Sequence, residues 1–330
     1  MSGTPVAEKP VERPEAASQR ALRLQEYALV FVIALLLVVG TVISDRFLSY
    51  DNMLVILTNA SVVGIVAVGM TFAVATGGID LSVGSVVAAA SIAGGLIVRN
   101  DVFGPTGGSI GFILAALGFA LLLGLVNALA ITWGRVVPFI ATLAMFTMAR
   151  GLALRMSNQQ PISLITADTV RYLGSGRLLG VPVLVVVFLA IVGLGWFVLN
   201  RTPFGRYVVA TGGNAEAARI AGIRVERIRF SVYLITAVCA GLAAILLSGR
   251  LGSASPVVGN LLELDAIAAV VIGGTSLSGG KATVVGTFLG VVTFALIFNV
   301  LNLLGLPAEL QQIVRGVIIL LAVIAQRRRN

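Results

Sequence analysis

The stretch IGGTSLSGGKAT, residues 272–283, interrupts a long apolar sequence near the C-terminal end of the chain. An earlier stretch, GGIDLSVGS at residues 77–85, aligns with GGTSLSGGK at residues 273–281, and five of the nine positions are identical. Paired glycines destabilise a helix by about 1 kcal/mol each relative to alanine, and a following Asp or Ser favours the start of a new helix. Each copy therefore predicts a helix that breaks and another that begins.

The glycines, serines and lysine of the second copy also suggest a phosphate-binding loop. That loop requires Gly, four residues and then Gly-Lys-Ser/Thr, whereas five residues separate Gly274 from Gly280, and Ala282 follows Lys281. The sequence thus argues against a nucleotide site in this chain. Interrupted segments at corresponding positions in two halves of a membrane protein instead indicate a transport pathway built on duplicated units.

The composition indicates a membrane protein. Apolar residues make up 58% of the 330 residues and charged residues 11%, against about half and about a quarter in soluble domains. A bilayer core about 30 Å thick needs about 20 apolar residues per spanning helix, and runs near that length recur from Tyr27 onward. The runs are continuous and do not alternate, which excludes a membrane β-barrel. We therefore predict an all-α integral membrane protein.

The sequence contains ten apolar segments, and we expect eight to ten transmembrane helices because two segments beside the second glycine stretch could be half-helices. The segments are residues 27–43, 53–75, 83–98, 110–132, 137–154, 181–199, 230–248, 261–272, 282–301 and 310–325. Residues 1–25 are polar and predict a disordered tail, residues 26–326 form the membrane domain, and residues 327–330 form a basic tail. An N-terminus inside places fifteen of the 23 Lys and Arg residues on the inner face, so the positive-inside rule predicts both termini in the cytoplasm.

Missing residue types exclude most enzyme classes. Histidine is absent and Cys239 is the only cysteine, so neither an intrachain disulfide nor a His/Cys metal site can form. Catalytic triads that use histidine are excluded for the same reason. Most basic residues flank apolar segments, where they fix topology more often than they bind nucleic acid. We expect no enzymatic activity, no cofactor, no metal and no nucleic acid partner.

Six polar residues within or beside apolar segments are candidates for a translocation path or its gate. Asp80 is the strongest, because a carboxylate at membrane depth costs about 3 kcal/mol or more unless it is partnered or hydrated. The alternative is that Asp80 only caps a helix at a tight surface turn, and each of the other residues could simply pack between helices. The candidates are Asn59, Asp80, Ser82, Asn127, Thr275 and Ser278.

The loop at residues 200–230 carries six arginines within 29 residues, which assigns it to the cytoplasmic side. Asn214 is a favourable N-cap, Glu216 suits the first turn, and Gly222 suits the position after the helix. These residues predict a helix of about two turns. Its small apolar residues favour docking on a cytoplasmic partner, and the alternative is an interfacial helix on anionic headgroups. The residues of this patch are Ala217, Ala218, Ile220, Ala221 and Ile223.

Past the tail, nearly the whole chain resembles the permease subunits of bacterial ABC importers for monosaccharides of the ribose, xylose and galactose type. The resemblance is carried by GGIDLSVGS, PFIATLAMFTMARGLAL, GRYVVATGGNAEAARIAGIRVERIR, ELDAIAAVVIGGTSLSGGKATVVGTFLG and LNLLG. It implies a multi-pass protein of the cell inner membrane, two permease chains around one channel, an ATPase subunit on each cytoplasmic loop, and an extracytoplasmic binding protein that delivers a monosaccharide. It also implies that the short helix is the coupling helix, with contacts from Asn214, Glu216, Ala217, Ala218, Arg219, Ala221 and Gly222.

Two other functions remain open at the level of sequence. An ion-coupled secondary sugar transporter would use Asp80, Glu263 or Asp265 as its cation or proton site, although the last two acids lie at the expected outer end of a short segment. A scaffold or receptor without transport activity would leave the paired glycine stretches without a purpose. Residues 286–290, GTFLG, have the small-xxx-small spacing that lets membrane helices approach closely, and the alternative is ordinary packing within one chain.

Overall fold

The computed structural model describes residues 14–327, with side chains placed for residues 27–104 and 107–324. This part of the chain is mostly helical, and its strands form only two short antiparallel pairs, β1 with β4 and β2 with β3. The elements in chain order are α1 (Pro14–Ile43), α2 (Tyr50–Ala75), α3 (Val83–Arg99), α4 (Gly104–Thr132), α5 (Pro138–Ser157), β1 (Ile162–Ser163), α6 (Asp168–Ser175), β2 (Arg177–Leu178), β3 (Val181–Pro182), α7 (Val183–Arg201), α8 (Pro203–Gly213), α9 (Ala215–Ile220), α10 (Val225–Leu251), β4 (Ser253–Ala254), α11 (Leu262–Ile272), α12 (Val284–Leu303) and α13 (Ala308–Arg327).

Each of the ten predicted apolar segments coincides with a helix. Six helices of the described chain are long and apolar enough to cross a membrane: α2, α4 from Gly107 onward, α5, α7, α10 and α12. Tyr27–Ile43 of α1 and Val83–Arg99 are shorter apolar helices. Helix α1 begins at Pro14, inside the N-terminal tail predicted for residues 1–25. Residues 1–13 of that tail and residues 328–330 of the basic tail lie outside the described part of the chain. The fold is therefore a multi-pass helical bundle.

Helices α2 and α10 form the centre of the bundle. Helix α10 packs against α2, α3, α4 and α6, and α2 also packs against α7, α11 and α12. Small residues line these contacts, as in α3, where Ala88, Ala89 and Ala90 are fully buried. Small side chains allow close approach of helix backbones, which is the main source of packing energy where lipid removes the hydrophobic drive.

The connections between helices gather at two ends of the bundle. At one end β1 pairs with β4, and the Tyr50 hydroxyl donates a 3.1 Å hydrogen bond to the carbonyl of Gly180. At the other end the Thr142 hydroxyl donates a 3.1 Å hydrogen bond to the carbonyl of Ile79, and helix α9 lies beside the α4–α5 connection. Helix α2, which runs from one end to the other, has 26 residues and is about 39 Å long. We call these two ends the strand end and the α9 end.

The GTFLG stretch brings α12 against α11. A Cβ placed on Gly286 would clash with the backbone of Gly273, and a Cβ placed on Gly290 would clash with the carbonyl of Ala269. The predicted close approach therefore occurs inside one chain, where it fixes the short helix α11 to a full-length neighbour. Beside it, the hydroxyls of Thr71 and Thr287 lie 2.8 Å apart and join α2 to α12.

This packing predicts a position-dependent effect of alanine. Gly290→Ala should destabilise the protein by about 1–3 kcal/mol, because the new methyl group forces α11 and α12 apart. Gly193→Ala in α7 is the matched control, since nothing lies within 4 Å of its Cβ position. The measurement is the free energy of unfolding in detergent. Equal stability of the two variants would contradict the close approach.

Candidate functional site

Both glycine stretches are breaks between helices, as predicted. The first break, residues 76–82, separates α2 from α3, and Gly77 has a φ of +79°. The second break, residues 273–283, separates α11 from α12, and Gly274 has a φ of +96°. A positive φ is accessible to glycine with little strain, which explains the glycines at positions 77 and 274. The other glycine of each pair is required by space, since a Cβ on Gly78 would clash with the Tyr233 hydroxyl and one on Gly273 with the backbone of Gly286.

The two breaks contact each other at the α9 end. The N–H of Gly280 donates a 3.0 Å hydrogen bond to the carbonyl of Ala75, the last residue of α2. A Cβ on Gly279 would lie 2.9 Å from the nitrogen of Gly77 and 2.8 Å from the carbonyl oxygen of Gly212. The Gly212 Cβ position in turn clashes with the backbone of Ala75. The C-terminal end of α8 thus completes a three-way backbone contact, which we call the glycine junction.

The backbone of the second break is already hydrogen bonded. The N–H groups of Gly274 and Thr275 donate to carbonyls of α11, and that of Gly279 donates to Ser276. The N–H of Ser276 donates to the carbonyl of Lys281. A phosphate-binding loop instead presents free N–H groups to its anion, so this geometry agrees with the mismatched spacing in the sequence.

Asp80 lies in the first break and is only 3% exposed. One carboxylate oxygen accepts hydrogen bonds from the Ser82 N–H at 2.9 Å and the Ser82 hydroxyl at 2.6 Å. The other oxygen accepts from the Thr236 hydroxyl of α10 at 2.9 Å, and the Asn127 amide of α4 donates to the Ser82 hydroxyl at 2.9 Å. We call these four residues the Asp80 network. It fastens the first break to α4 and α10, which offsets the cost of burying a carboxylate.

The structure brings three of the six path candidates together and separates the others. Asp80, Ser82 and Asn127 share one network, and Thr275, in the second break, is buried with its hydroxyl accepting from the N–H of Thr283. Ser278 is exposed, and its hydroxyl lies 2.9 Å from that of Ser276. Asn59 lies nearer the strand end, where its carbonyl oxygen accepts a 2.7 Å hydrogen bond from Arg250.

Sequence reasoning missed Thr236 as a partner of Asp80. The residue stands within the apolar run of α10 and makes a second bond to the carbonyl of Tyr233 three residues earlier. A threonine that bonds its own helix is common in membrane helices, and 156 residues separate it from Asp80. Nothing in the local sequence distinguishes it from a packing residue.

The predicted short helix is present as α9, and its ends match the prediction. The Asn214 side chain accepts hydrogen bonds from the N–H groups of Glu216 and Ala217 at 3.0 and 2.9 Å. Past the helix, Gly222 has a φ of +85°, and the Ile223 N–H donates to the carbonyl of Ala218. These bonds form an N-cap and a Schellman motif, which satisfy backbone groups that a six-residue helix would leave unpaired.

The outer surface of α9 is apolar with charges at its edge. Ile220 is 84% exposed, whereas Ala218, one of the predicted contacts, is buried and faces the protein. Arg219 bonds Glu216 at 3.2 Å and Glu226 at 2.7 Å. The hydrogen bond that the Arg219 guanidinium donates to the Glu226 carboxylate raises the pKa of Arg219. Ile220, which belongs to the predicted apolar patch but not to the coupling contacts implied by the resemblance, is thus the large apolar side chain that the helix exposes.

A groove of about 630 Å³ lies between α9 and the α4–α5 connection. Its walls include Arg135, Arg219 and Arg229, and Trp133 stacks on Phe230 with ring centroids 6.2 Å apart. Basic residues beside exposed apolar surface are suited to binding a protein partner with acidic and apolar groups. The α9 end therefore presents a basic and apolar surface, a candidate docking surface, directly attached to the glycine junction.

A bundle of apolar helices with two discontinuous segments in contact has the architecture of a membrane transport permease. The chain belongs to the family described as "Branched-chain amino acid transport system / permease component", whose model matches residues 52–323. The ribose import permease protein RbsC of Escherichia coli (strain K12) is 40% identical over 318 residues, which cover 94% of this chain and 96% of the relative.

Two further relatives show the breadth of the group. The ribose import permease protein RbsC of Bacillus subtilis (strain 168) is 41% identical over 299 residues, covering 90% of this chain and 91% of the relative. The fructose import permease protein FrcC of Rhizobium meliloti is 32% identical over 302 residues, covering 89% and 83%. These matches confirm the resemblance to sugar ABC permeases.

The Asp80 network predicts energetic coupling between residues distant in sequence. Asp80→Asn and Thr236→Val should each lower the free energy of unfolding by about 1–3 kcal/mol, because each leaves a buried polar group without its partner. The double variant should lose less than the sum of the two by about 1 kcal/mol. The free energy of unfolding in detergent is measured for all three variants.

Thr147→Val is the control for the substitution itself, since Thr147 is exposed on α5 and bonds only its own helix. It should leave stability unchanged within about 0.5 kcal/mol. If the losses in free energy of unfolding caused by Asp80→Asn and Thr236→Val simply add, the two side chains do not stabilise each other.

Proposed function

We propose that this chain is the membrane subunit of an ABC importer that carries a ribose-type monosaccharide across the cell inner membrane, driven by ATP hydrolysed in a partner subunit. The names of its relatives support the substrate class, because two are ribose import permeases and the third carries fructose. The resemblance to sugar permeases along nearly the whole chain supports the same mechanism.

The proposed topology has ten crossings with both termini in the cytoplasm. The α9 end then faces the cytoplasm, which agrees with the six arginines of residues 200–230 and the positive-inside rule. The strand end faces outward, where a sugar-binding protein docks. Helix α11 has only 11 residues and spans about 17 Å, so it crosses only together with the second break that follows it.

Energy coupling is proposed to run through α9, and the carrying observation is the glycine junction. Helix α8 ends at Gly213, α9 begins at Ala215, and Gly212 touches the backbone of Ala75 at the end of α2 and of Gly280 in the second break. An ATPase subunit seated on α9 would therefore displace a segment in direct contact with the end of α2 and with the break between α11 and α12. Backbone contacts without intervening side chains transmit such a displacement with little loss, because close-packed interiors are stiff.

The six path candidates are proposed to act at different depths. Asp80, Ser82 and Asn127 hold the first break in place and act as part of a gate, while Thr275 and Ser278 shape the second break. Asn59 lies toward the outer side, within reach of a sugar that enters there. A second copy of this chain is proposed to complete the channel, as the resemblance to dimeric permeases implies.

The transport mechanism is tested by uptake in membrane vesicles. Uptake of D-ribose should require the ATPase subunit, ATP and the binding protein, and should not respond to an imposed ion gradient. Uptake driven by an ion gradient in the absence of the ATPase subunit would contradict the proposal and favour an ion-coupled transporter that uses Asp80, Glu263 or Asp265.

The docking surface predicts that Ile220→Lys releases the ATPase subunit. Burying a charge in an apolar pocket of the partner should weaken binding by about 2 kcal/mol or more, which is about thirtyfold. Ile165→Lys is the matched control, since Ile165 is 72% exposed and precedes α6 at the strand end. The measurement is the amount of ATPase subunit that co-purifies with each variant. Equal amounts would exclude α9 as the docking site.

A further inference from the structure

A cavity with a mixed polar and apolar lining opens between α2, α11, α12 and α13 in the strand-end half of the bundle, away from the glycine junction. Its volume is about 220 Å³. Its polar and aromatic lining includes Asn59, Asp265, Phe298, Asn302, Gln311 and Arg315. These residues come from four different helices, so the cavity exists only in the folded bundle and has no local sequence signature.

The cavity extends from the strand end toward the middle of the membrane. Asn302 is next to the last residue of α12 and marks its mouth, whereas Asn59 lies nine residues after Tyr50, the start of α2. Nine residues of helix correspond to about 14 Å, about a third of the length of α2, which has 26 residues. The cavity thus extends from the strand end into the interior of the bundle, toward the depth at which transporters bind their substrates.

The charges of the cavity balance each other. Arg315 on α13 forms a 3.0 Å ion pair with Asp265 on α11, and its guanidinium carbon lies 5.0 Å from the ring centre of Phe298. A neutral cavity with fixed charges and an aromatic face does not favour a free cation, since the guanidinium already neutralises the carboxylate. It does favour a neutral solute rich in hydroxyl groups.

Several side-chain amides of the cavity form a hydrogen bond through only one of their two polar atoms. Gln311 donates to the side-chain oxygen of Asn302 at 2.8 Å and to the carbonyl of Leu306 at 2.9 Å. Within residues 27–104 and 107–324, no bond engages the side-chain oxygen of Gln311, the side-chain nitrogen of Asn302 or that of Asn59. Amide and guanidinium groups offer the paired donors and acceptors that vicinal hydroxyls require.

We propose that this cavity is the site at which the permease contacts its sugar after release from the binding protein. The ligand class is a neutral monosaccharide whose hydroxyls bond Asn59, Gln311 and Arg315 and whose C–H face lies on Phe298. This inference rests on the proposed function and deepens it. It also separates the roles of the two groups of polar residues, because the Asp80 network is buried and both carboxylate oxygens of Asp80 are hydrogen bonded, whereas the cavity is open and several of its amide groups lack a bond.

The first test compares two adjacent glutamines of α13. Gln311→Leu removes a cavity amide, while Gln312→Leu makes the same change on an exposed neighbour that does not line the cavity. Proteoliposomes with the ATPase subunit and binding protein are assayed for uptake of radiolabelled D-ribose. Gln311→Leu should lower uptake at least about tenfold with co-purified ATPase subunit unchanged, and Gln312→Leu should stay within about twofold. Equal uptake by both variants would overturn the proposal.

The second test compares each assembled variant with itself before and after labelling, so an effect of the substitution on folding cannot produce the difference. Cys239 is the only cysteine and is buried, so Asn302→Cys provides one accessible thiol at the cavity mouth, and Gln312→Cys provides a matched one outside it. Each assembled transporter is assayed before and after labelling with a charged, membrane-impermeant methanethiosulfonate. Labelling should block uptake at least about tenfold in the first variant and not in the second. Full uptake after complete labelling of Asn302→Cys would overturn the proposal.

The unsubstituted protein distinguishes failure of this inference from failure of the proposed function. If it imports D-ribose with ATP, the variants test the cavity alone. If it imports fructose or L-arabinose instead, that sugar becomes the probe and the same comparisons apply. If it imports none of the three under any of these conditions, both the proposed function and the site are contradicted.

Discussion

The hydrogen bond from the Gly280 N–H to the Ala75 carbonyl joins the second break to the last residue of α2. Backbone groups without water or a partner are costly in this environment, and the bond supplies a partner for the carbonyl at the C-terminal end of α2. It requires backbone-to-backbone contact, which only residues without a side chain permit. The glycines of both breaks and Gly212 of α8 satisfy that requirement together.

This constraint links the docking surface to the membrane helices. Helix α9 is short and depends on its caps, yet it is attached to the junction by two residues of α8 and by Asn214. The Asp80 network then holds the first break to α4 and α10. A displacement of α9 would therefore act on the end of α2 and on the second break, both of which are held by hydrogen bonds. The strand-end cavity is separate from this apparatus and, in the proposed topology, faces outward.

The sequence allowed the helices, the two breaks and the caps of α9 to be predicted, because each depends on neighbouring residues. Continuous apolar runs define the helices, paired glycines define the breaks, and Asn214 and Gly222 define the ends of α9. Helix α8 was part of the predicted loop, because PFGRYVVATGG has two terminal glycines and no long apolar run.

The remaining features could not be predicted because they depend on residues far apart in the chain. Thr236 donates a hydrogen bond to Asp80 although 156 positions separate them in the sequence. Arg315 on α13 likewise forms an ion pair with Asp265 on α11. The inward orientation of Ala218 follows from how α9 lies on the bundle, which its own sequence does not specify. Local patterns thus determine the elements, and tertiary packing determines which polar groups meet.

The central claim is that α9 moves the membrane helices through the glycine junction, and the ratio of ATP hydrolysed to sugar imported tests it most directly. Gly212→Ala places a methyl group against Ala75, whereas at the adjacent Gly213 the Cβ position lies 3.8 Å from Gly280, an ordinary contact. In proteoliposomes with both partners, Gly212→Ala should assemble and hydrolyse ATP but raise that ratio at least about tenfold, while Gly213→Ala should leave it unchanged. An unchanged ratio in an assembled Gly212→Ala transporter would contradict the account.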